Sequence, residues 1–267
     1  MKSEEKNICK SNTLIEARYR LSLNEQKFVL KSISLLDKND RDFKEYVITV
    51  KEFQEITGMC RDEVYKELQK IAENILKKPI TIISEKGRLI CNWFSSVEYV
   101  KGEGKIIVCH DPKLKPYLLG MKERYTLYRL GMILKLRSVY SIRIYELLKQ
   151  YQYAGERTAN MEDLRKILCI EEGTYTRFND FRRFVLDRAQ KEINRHTDTE
   201  FDYEIRKESR KITAIYFRIS QRPEYASAGE NNRLRSSEEK GIPEKIAAAV
   251  RPEYRNHEMC CTAQGNT

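Results

Sequence analysis

The chain has 267 residues, of which 50 are Lys or Arg and 40 are Asp or Glu, so its formal net charge is +10. This length accommodates two domains of about 100 residues with additional terminal segments. The positive charge favours a polyanionic partner such as nucleic acid. No apolar run approaches the roughly 18 residues that a membrane span needs, and the N-terminal MKSEEKNICKSN lacks the apolar core of a signal peptide. We therefore expect a cytoplasmic protein without a membrane partner.

The cysteine and histidine positions argue against a metal site. Seven cysteines form no C-x-x-C pair, and three histidines are scattered among them. We expect reduced thiols, with those in apolar runs acting as small core residues: Cys91, Cys109 and Cys169.

Motifs of catalysis are also missing from the sequence. GEGK at 102–105 resembles part of a phosphate-binding loop, but Tyr99 and Ile106 stand where Gly and Ser or Thr are required. Enzymes that nick DNA with a tyrosine use a metal held by a His-x-His pair, which this chain lacks. The sequence predicts no catalytic residue, no metal and no cofactor.

Near the N-terminus, Ser22 followed by Glu25 is a capping box, which predicts a helix from Leu23 to about Leu36. A heptad spacing that could indicate a zipper runs through Leu14, Leu21, Phe28 and Leu35. Because the cap interrupts this series, core packing is favoured over a coiled coil. A charged turn at 37–41, the strand YVITV and a hairpin turning at 85–87 follow.

The chain contains an internal repeat. VKEFQEI at 50–56 aligns with MEDLRKI at 161–167, and a longer helix follows each copy. In these longer helices Leu68, Ile71 and Ile75 match Leu186, Ala189 and Ile193. Each copy then continues as β-type sequence, from Lys78 and from Thr199 respectively. We infer a duplicated fold unit.

The second copy reads as a basic amphipathic helix followed by a hairpin. Its apolar residues recur every four positions: Phe181, Val185, Ala189 and Ile193. A polar stripe is expected opposite: Asn179, Arg183, Gln190 and Asn194. The alternating sequence from Thr199 predicts a two-stranded ribbon, and a helix with such a ribbon is the second half of a winged helix.

This helix and hairpin suggest DNA binding. The polar stripe suits base edges, and the hairpin tip suits phosphates with Arg206, Lys207, Arg210 and Lys211. A charged helix face can equally be ordinary solvated surface, but the duplication favours the DNA interpretation. Glu204 and Glu208 near the tip weaken it.

Residues 113–143 hold eight Lys or Arg against one acid, Glu123. Ordinary linkers mix their charges, so we expect this segment, including Lys135, Arg137 and Arg143, to follow a phosphate backbone between two modules. From Ser138 it becomes the helix that opens the second unit. Residues 222–267 are rich in Ser, Ala, Gly, Asn and Glu, which predicts disorder with a short helix near 243–250.

Three segments resemble the iteron-binding plasmid replication initiator family: LIEARYRLSLNEQKFVLKSIS, SVYSIRIYELLKQY and FVLDRAQKEINRHTDTEFDYEIRKESRKITAIYFRI. The similarity runs from about residue 12 to residue 219. It implies an α+β protein of two tandem winged-helix domains that binds direct repeats at an origin, opens adjacent AT-rich DNA and recruits host helicase or primosome proteins. It also implies, as in many members, a homodimer that represses the initiator's own promoter and a monomer that is competent for initiation.

Composition and the resemblance together divide the chain into five segments, and the resemblance implies two recognition helices. The segments are a flexible N-terminus (1–11), a first domain for dimerisation and DNA contact (12–110), a basic bridge (111–137), the main DNA-binding domain (138–221) and the tail (222–267). The second recognition helix spans 179–195, adding Arg182 and Lys191 to the stripe, with its wing at 206–211. The first spans 61–77 with Lys66, Gln69, Lys70 and Lys77, and its acids predict a smaller contribution.

Two other functions remain open at this stage. A tandem winged-helix transcription regulator fits the same pattern, and a protein-binding winged-helix scaffold fits it less well because of the basic bridge. For the dimer, we expect an edge strand within 89–100. Trp93 and Phe94 alternate along it, so one of them can fill the core while the other stays outside; the alternative is that both are covered within the monomer.

Overall fold

The computed structural model describes residues 5–225, except for residues 38, 85, 86, 101, 122 and 123. The described residues up to Glu224 form one compact unit. The expectations for the tail from residue 226 onward, including its short helix, lie outside the described residues. The same holds for most of the hairpin turn at 85–87.

The helices are α1 (Asn12–Ile15), α2 (Leu23–Ile33), α3 (Val50–Thr57), α4 (Arg61–Asn74), α5 (Lys115–Leu118), α6 (Gly131–Leu134), α7 (Val139–Lys149), α8 (Met161–Ile167), α9 (Phe178–Phe181) and α10 (Arg188–His196). Single turns of 3-10 helix lie at Ile75–Lys77 and Pro112–Leu114, and a π-helical segment at Arg182–Asp187. The strands are β1 (Asn7–Ser11), β2 (Tyr46–Thr49), β3 (Ile80–Ser84), β4 (Gly87–Cys91), β5 (Phe94–Val100), β6 (Lys105–His110), β7 (Tyr125–Arg129), β8 (Glu156–Asn160), β9 (Thr199–Glu208) and β10 (Lys211–Gln221).

The duplication predicted from the sequence is confirmed by the order of the elements. The first copy runs α2, β2, α3, α4, β5 and β6, and the second runs α7, β8, α8, α9 to α10, β9 and β10. Each copy has an antiparallel three-stranded sheet with equivalent strand orders, β2-β6-β5 and β8-β10-β9. The fold is therefore two tandem winged helices.

The first wing lies later in the chain than the β-type sequence from Lys78 suggested. The β3–β4 hairpin is an insertion between α4 and the three-stranded sheet, and it pairs only with itself among the named strands. The equivalent of the β9–β10 hairpin is β5–β6. The turn of the β5–β6 hairpin contains the GEGK stretch, in which both glycines, Gly102 and Gly104, have a positive φ.

The capping box predicted at Ser22 is present. Its hydroxyl accepts the Glu25 N–H at 3.3 Å, and the Glu25 carboxylate accepts the Ser22 N–H at 2.7 Å. The helix ends at Ile33, a turn earlier than predicted. Leu14, Leu21 and Phe28 are all buried in the shared core, so the heptad spacing reflects core packing.

Of the two alternatives for Trp93 and Phe94, the structure contradicts an outward residue and shows both covered, because each is only 1% exposed. The Trp93 ring packs edge-on against Tyr19 at 5.0 Å, and Phe94 packs against Phe28 at 5.8 Å between ring centroids. Strand alternation does not apply here, since Trp93 precedes β5 and the pairing register shifts just after Phe94. β5 is nonetheless an edge strand of its sheet.

Two segments that were expected to be a flexible N-terminus and a basic bridge contain regular secondary structure and contribute to the core. Within the N-terminus expected to be flexible, β1 pairs antiparallel with β7, and Ile8 and Lys10 are fully buried. The expected bridge forms α5, β7 and α6, which bury Leu118, Tyr128 and Ile133. Apolar burial therefore fixes both segments to the core. The domain boundaries themselves stay a prediction.

Arg143 is another correction, because it is only 3% exposed and cannot follow a phosphate backbone. Its guanidinium donates to the Tyr19 hydroxyl at 2.5 Å and to the Ala17 carbonyl at 2.7 Å. The fully buried Glu146 lies one turn away on α7 and pairs with Lys10 at 2.9 Å. These contacts join the N-terminal segment to the first helix of the second copy.

The cysteines expected in the core are only half-buried: Cys91, Cys109 and Cys169 are free thiols of intermediate exposure. Burial raises the pKa of the Cys91 thiol to about 11. Among the described residues, no helix has the length and apolar character that crossing a bilayer requires.

Candidate nucleic-acid interface

The second copy presents one continuous helix from α9 through the π-helical segment to α10, which we call the recognition helix (178–196). Its buried side includes the four apolar residues predicted from the sequence and the adjacent Leu186, all 0% exposed: Phe181, Val185, Leu186, Ala189 and Ile193. These residues fix the helix against the core and leave the other side to solvent.

The π-helical segment explains how apolar residues spaced four positions apart can all lie on the buried side of the helix. In an α-helix about 3.6 residues complete a turn, so a stripe with a period of four drifts by about 40° at each step. A π-helical turn holds more residues and absorbs part of this drift. It also shifts the outward positions beyond Asp187 by one residue relative to an uninterrupted α-helix.

This shift corrects the predicted polar stripe. The Asn194 side-chain amide donates to the Phe201 carbonyl at 2.9 Å and accepts the Phe201 N–H at 2.9 Å. Gln190 donates to the same carbonyl at 3.2 Å and to the Asp202 carboxylate at 3.1 Å. Both amides are thus used to hold the helix against β9, so we do not include them among the base-reading groups.

The outward positions are instead taken by cations, which we call the basic stripe: Arg183, Lys191 and Arg195. All three side chains are exposed, and none forms an ion pair with a described residue. Arg195 was not among the site residues predicted from the sequence, although its spacing of four from Lys191 indicates that both lie on the same side of the helix. Exposed cations without partners suit a polyanion, because binding it leaves no existing pair to break.

The first turns of the recognition helix hold Asn179 and Arg182, both exposed. Arg182 lies 3.6 Å from the Asp187 carboxylate, which also accepts a hydrogen bond from the Tyr203 hydroxyl. Burial and this bond raise the pKa of Tyr203 to about 12. Arg182 is therefore partly neutralised within the protein, unlike the basic stripe.

The predicted wing is a hairpin whose two-residue turn is Ser209 and Arg210, with Ser209 at a φ of 55°. All four predicted wing residues are exposed: Arg206, Lys207, Arg210 and Lys211. Arg206 stacks on Tyr216 at 4.9 Å, and Lys211 lies 3.8 Å from Glu162. Lys207 and Arg210 form no ion pair with a described residue, and we call these two the wing cations.

Lys135 and Arg137 are exposed in the segment between α6 and α7. The structure places this segment against the recognition helix, since the Arg137 N–H donates to Glu192 at 2.9 Å and Arg188 donates to the Arg137 carbonyl at 3.1 Å. Burial lowers the pKa of His196, and the charges of Arg195, Lys135 and Arg137 lower it further. Positive charge thus accumulates at this end of the helix.

In the first copy, the four predicted residues are exposed on or just after α4: Lys66, Gln69, Lys70 and Lys77. Gln69 donates to Glu73 at 3.2 Å, and Lys77 donates to Asn74 at 3.4 Å. α4 also exposes Asp62 and Glu63 in its first turn. Its surface is therefore mixed in charge, whereas the outward side of the recognition helix is basic.

Across the described residues, His, Cys, Asp and Glu side chains form no group of three that could hold a metal ion. The site consists of hydrogen-bond donors and fixed positive charges on a helix and an adjoining hairpin. Such groups can bind base edges and phosphates.

Comparisons with known proteins agree with this arrangement. The family model "Initiator Replication protein, WH1" matches residues 7–149, and "Initiator Rep protein, WH2" matches residues 160–219. A replication initiation protein of Escherichia coli is 23% identical over 251 residues, covering 90% of this chain and 78% of the relative. The PI protein of Escherichia coli is 28% identical over 160 residues, covering 53% of this chain and 52% of that protein.

The fold is also that of a solved initiator. The crystal structure of the Pi initiator protein in complex with iteron DNA matches with a TM-score of 0.68 at 19% identity, covering 82% of this chain and 99% of that chain. Since the first family model alone spans more than half of the chain, this protein belongs to the initiator replication protein family.

Proposed function

We propose that this protein initiates plasmid replication by binding direct repeats, or iterons, in double-stranded DNA at the origin. The recognition helix enters the major groove, and the wing cations contact the flanking phosphates. The observation that carries this proposal is the basic stripe: three exposed cations without ion-pair partners among the described residues, on the outward side of a helix that adjoins a basic wing. Family membership and the DNA-bound state of the Pi initiator structure support it.

The two domains contribute unequally in this proposal. Lys135 and Arg137 extend the basic surface next to the recognition helix, since Arg137 contacts Glu192. The first domain adds weaker contacts through Lys66, Gln69, Lys70 and Lys77. Acids on α4 repel the phosphates and lower its share of the affinity.

After binding, the protein acts through binding energy and DNA deformation and without catalysis. Bending or untwisting a duplex costs a few kcal/mol, which additional contacts can offset. An adjacent AT-rich tract is the place where opening costs least. The opened strand then allows host helicase or primosome proteins to be recruited.

A homodimer that represses its own promoter is also part of the proposal. β5 is an edge strand, and the exposed side chains of Ser95 and Ser96 leave one part of it uncharged. Replacing both serines with lysine should disfavour strand pairing between two copies, because like charges would meet across the symmetry axis. Sedimentation at several concentrations should show a wild-type dimer and a variant monomer; a variant that dimerises equally well removes β5 from the interface.

Fluorescence anisotropy with two labelled duplexes tests the DNA proposal. One duplex carries the direct repeats found beside the gene, and the other has the same bases in shuffled order. Arg183→Ala should weaken binding to the repeats by about 1–3 kcal/mol and relax sequence preference. Lys207→Ala should weaken binding to both duplexes alike.

The matched control is Lys44→Ala, which removes an exposed charge that pairs with Asp40 in the loop before β2. It should leave both affinities unchanged. Equal affinity of the wild type for repeated and shuffled duplexes would contradict repeat recognition. A cell-based assay distinguishes an initiator from a transcription regulator. A plasmid that carries the gene and its flanking repeats should replicate, whereas the same plasmid with the Arg183→Ala substitution should not.

A further inference from the structure

Phe184 is a large apolar side chain on the outward part of the recognition helix, and it is 44% exposed. It lies in the π-helical segment, next to the basic stripe residue Arg183, whose guanidinium is 5.3 Å from the centre of its ring. Single exposed hydrophobic residues are common on protein surfaces. This one, however, lies within the surface that we propose to face DNA, where its ring can contact a base.

The ring of Phe184 is supported from one side by a second aromatic ring. Tyr175, in the loop before α9, stacks on it with a centroid distance of 5.8 Å and an interplanar angle of 24°. Tyr140 of α7 packs edge-on against Tyr175 at 6.3 Å. The exposed ring is therefore one end of a row of three aromatic rings that begins at α7, so its orientation is restricted before any ligand binds.

The loop that holds Tyr175 is itself fixed. Tyr175 has a φ of 52°, in the left-handed region that aromatic residues rarely adopt. Arg165 of α8 donates to the carbonyl of Thr174 at 2.6 Å and to that of Tyr175 at 3.2 Å. An unfavourable backbone conformation held in place by surrounding hydrogen bonds is typical of functional sites. Here it positions the ring beneath Phe184.

The chemistry of the major groove identifies what a rigid apolar group between cations can recognise. Each base edge presents hydrogen-bond donors and acceptors, and thymine alone adds an apolar group, its C5-methyl. We propose that Phe184 is a specificity-determining residue that contacts the C5-methyl group of one thymine in the bound repeat. This inference rests on the proposed function, and it adds an apolar contact to a surface that is mostly basic.

Replacing thymine with uracil tests the contact, because uracil lacks only the methyl group. A preferred duplex is first selected from random-sequence DNA by repeated binding to the full-length protein, and each thymine is then replaced singly with uracil. For the wild type, one replacement should weaken binding about fourfold, equivalent to about 0.8 kcal/mol for one methyl-sized group removed from water. In Phe184→Ala the same replacement should have no effect, while Phe184→Leu should retain part of it.

The control is Tyr153→Ala, which removes an aromatic side chain that is 94% exposed and lies away from the recognition helix in sequence. It should keep the wild-type uracil pattern. Circular dichroism should show that every variant is fully folded at the temperature of the binding assay. If the Phe184→Ala and wild-type proteins respond identically to every uracil, or if no single uracil weakens the wild type, the contact is refuted while repeat binding stands.

Other results distinguish the remaining explanations. If Phe184→Ala lowers affinity equally for every uracil-substituted duplex, the ring wedges between base pairs or packs generally, and methyl recognition is refuted. If Phe184→Ala binds every DNA duplex as the wild type does, the ring does not contribute to DNA binding and the inference is overturned. If selection enriches no sequence at all, the proposed function itself fails.

Discussion

Replacing Asn194 with alanine separates the role that the structure gives this residue from the role that helical periodicity suggested. In the structure its amide makes two hydrogen bonds with the backbone of Phe201, each of 2.9 Å. We expect Asn194→Ala to destabilise the protein and to leave its sequence preference unchanged. A base-reading residue would behave in the opposite way.

The size of the effect follows from the groups that lose partners. The Phe201 N–H loses its acceptor, whereas the Phe201 carbonyl keeps the Gln190 donor at 3.2 Å. Phe201 is 2% exposed, so water reaches its backbone poorly. One buried donor left unsatisfied costs about 1–3 kcal/mol, with a smaller contribution from the second bond. For a unit of this size, about 2 kcal/mol corresponds to a fall in melting temperature of about 4–8 °C.

Thermal unfolding followed by circular dichroism, together with anisotropy on repeated and shuffled duplexes, measures both quantities. Lys191→Ala is the matched control on the same helix, and it should weaken DNA binding without changing the melting temperature. The reasoning is refuted if Asn194→Ala melts as the wild type does but loses its preference for one base pair. That result would mean that the amide points outward and that the rotation introduced by the π-helical segment is absent when DNA is bound.

Three further predictions concern charge. With five contacts from the basic stripe and wing cations, affinity for the repeats should fall roughly several hundredfold between 50 and 200 mM salt, and a flat titration would contradict this. Lys10→Met removes the cation nearest to the buried Glu146 carboxylate, so it should cost about 3–5 kcal/mol in urea unfolding, and adding Glu146→Gln should recover most of that loss. Burial lowers the pKa of His110 from 6.5 to about 4, so the unfolded chain binds the proton more readily and stability should fall by up to about 3 kcal/mol from pH 6.5 to pH 4. Urea unfolding across that range should show a flatter profile for His110→Phe.

Features encoded in neighbouring residues were predictable from the sequence. The capping box at Ser22 and Glu25 fixed the start of α2, because both partners lie within one turn. The repeated strand, short helix and longer helix showed the duplication for the same reason. The hairpin of the second copy followed from alternation of apolar and polar residues on both sides of its charged turn, although a register shift between Ile212 and Ala214 interrupts it on β10.

Features that depend on distant partners were not predictable. Residues 7–11 form a strand only because β7 pairs with them more than a hundred positions later. Arg143 looked like part of a basic run, yet Glu146 one turn away and Lys10 on β1 enclose it in a buried charge network. A sequence read locally cannot distinguish an exposed arginine from one with such partners.

The recognition helix was partly predictable, because its sequence pattern allowed two structures and did not show which of them forms. A buried stripe at intervals of four cannot follow a straight α-helix over three steps, so either the stripe drifts or the helix takes a wider turn. The first alternative places Gln190 and Asn194 outward, and the second places Lys191 and Arg195 there. Packing of Val185 and Ala189 against the core selects the wider turn, because drift would expose one end of the stripe. The same wide turn contains Arg183 and Phe184, so the residues proposed to read DNA depend on a helical irregularity that core packing stabilises.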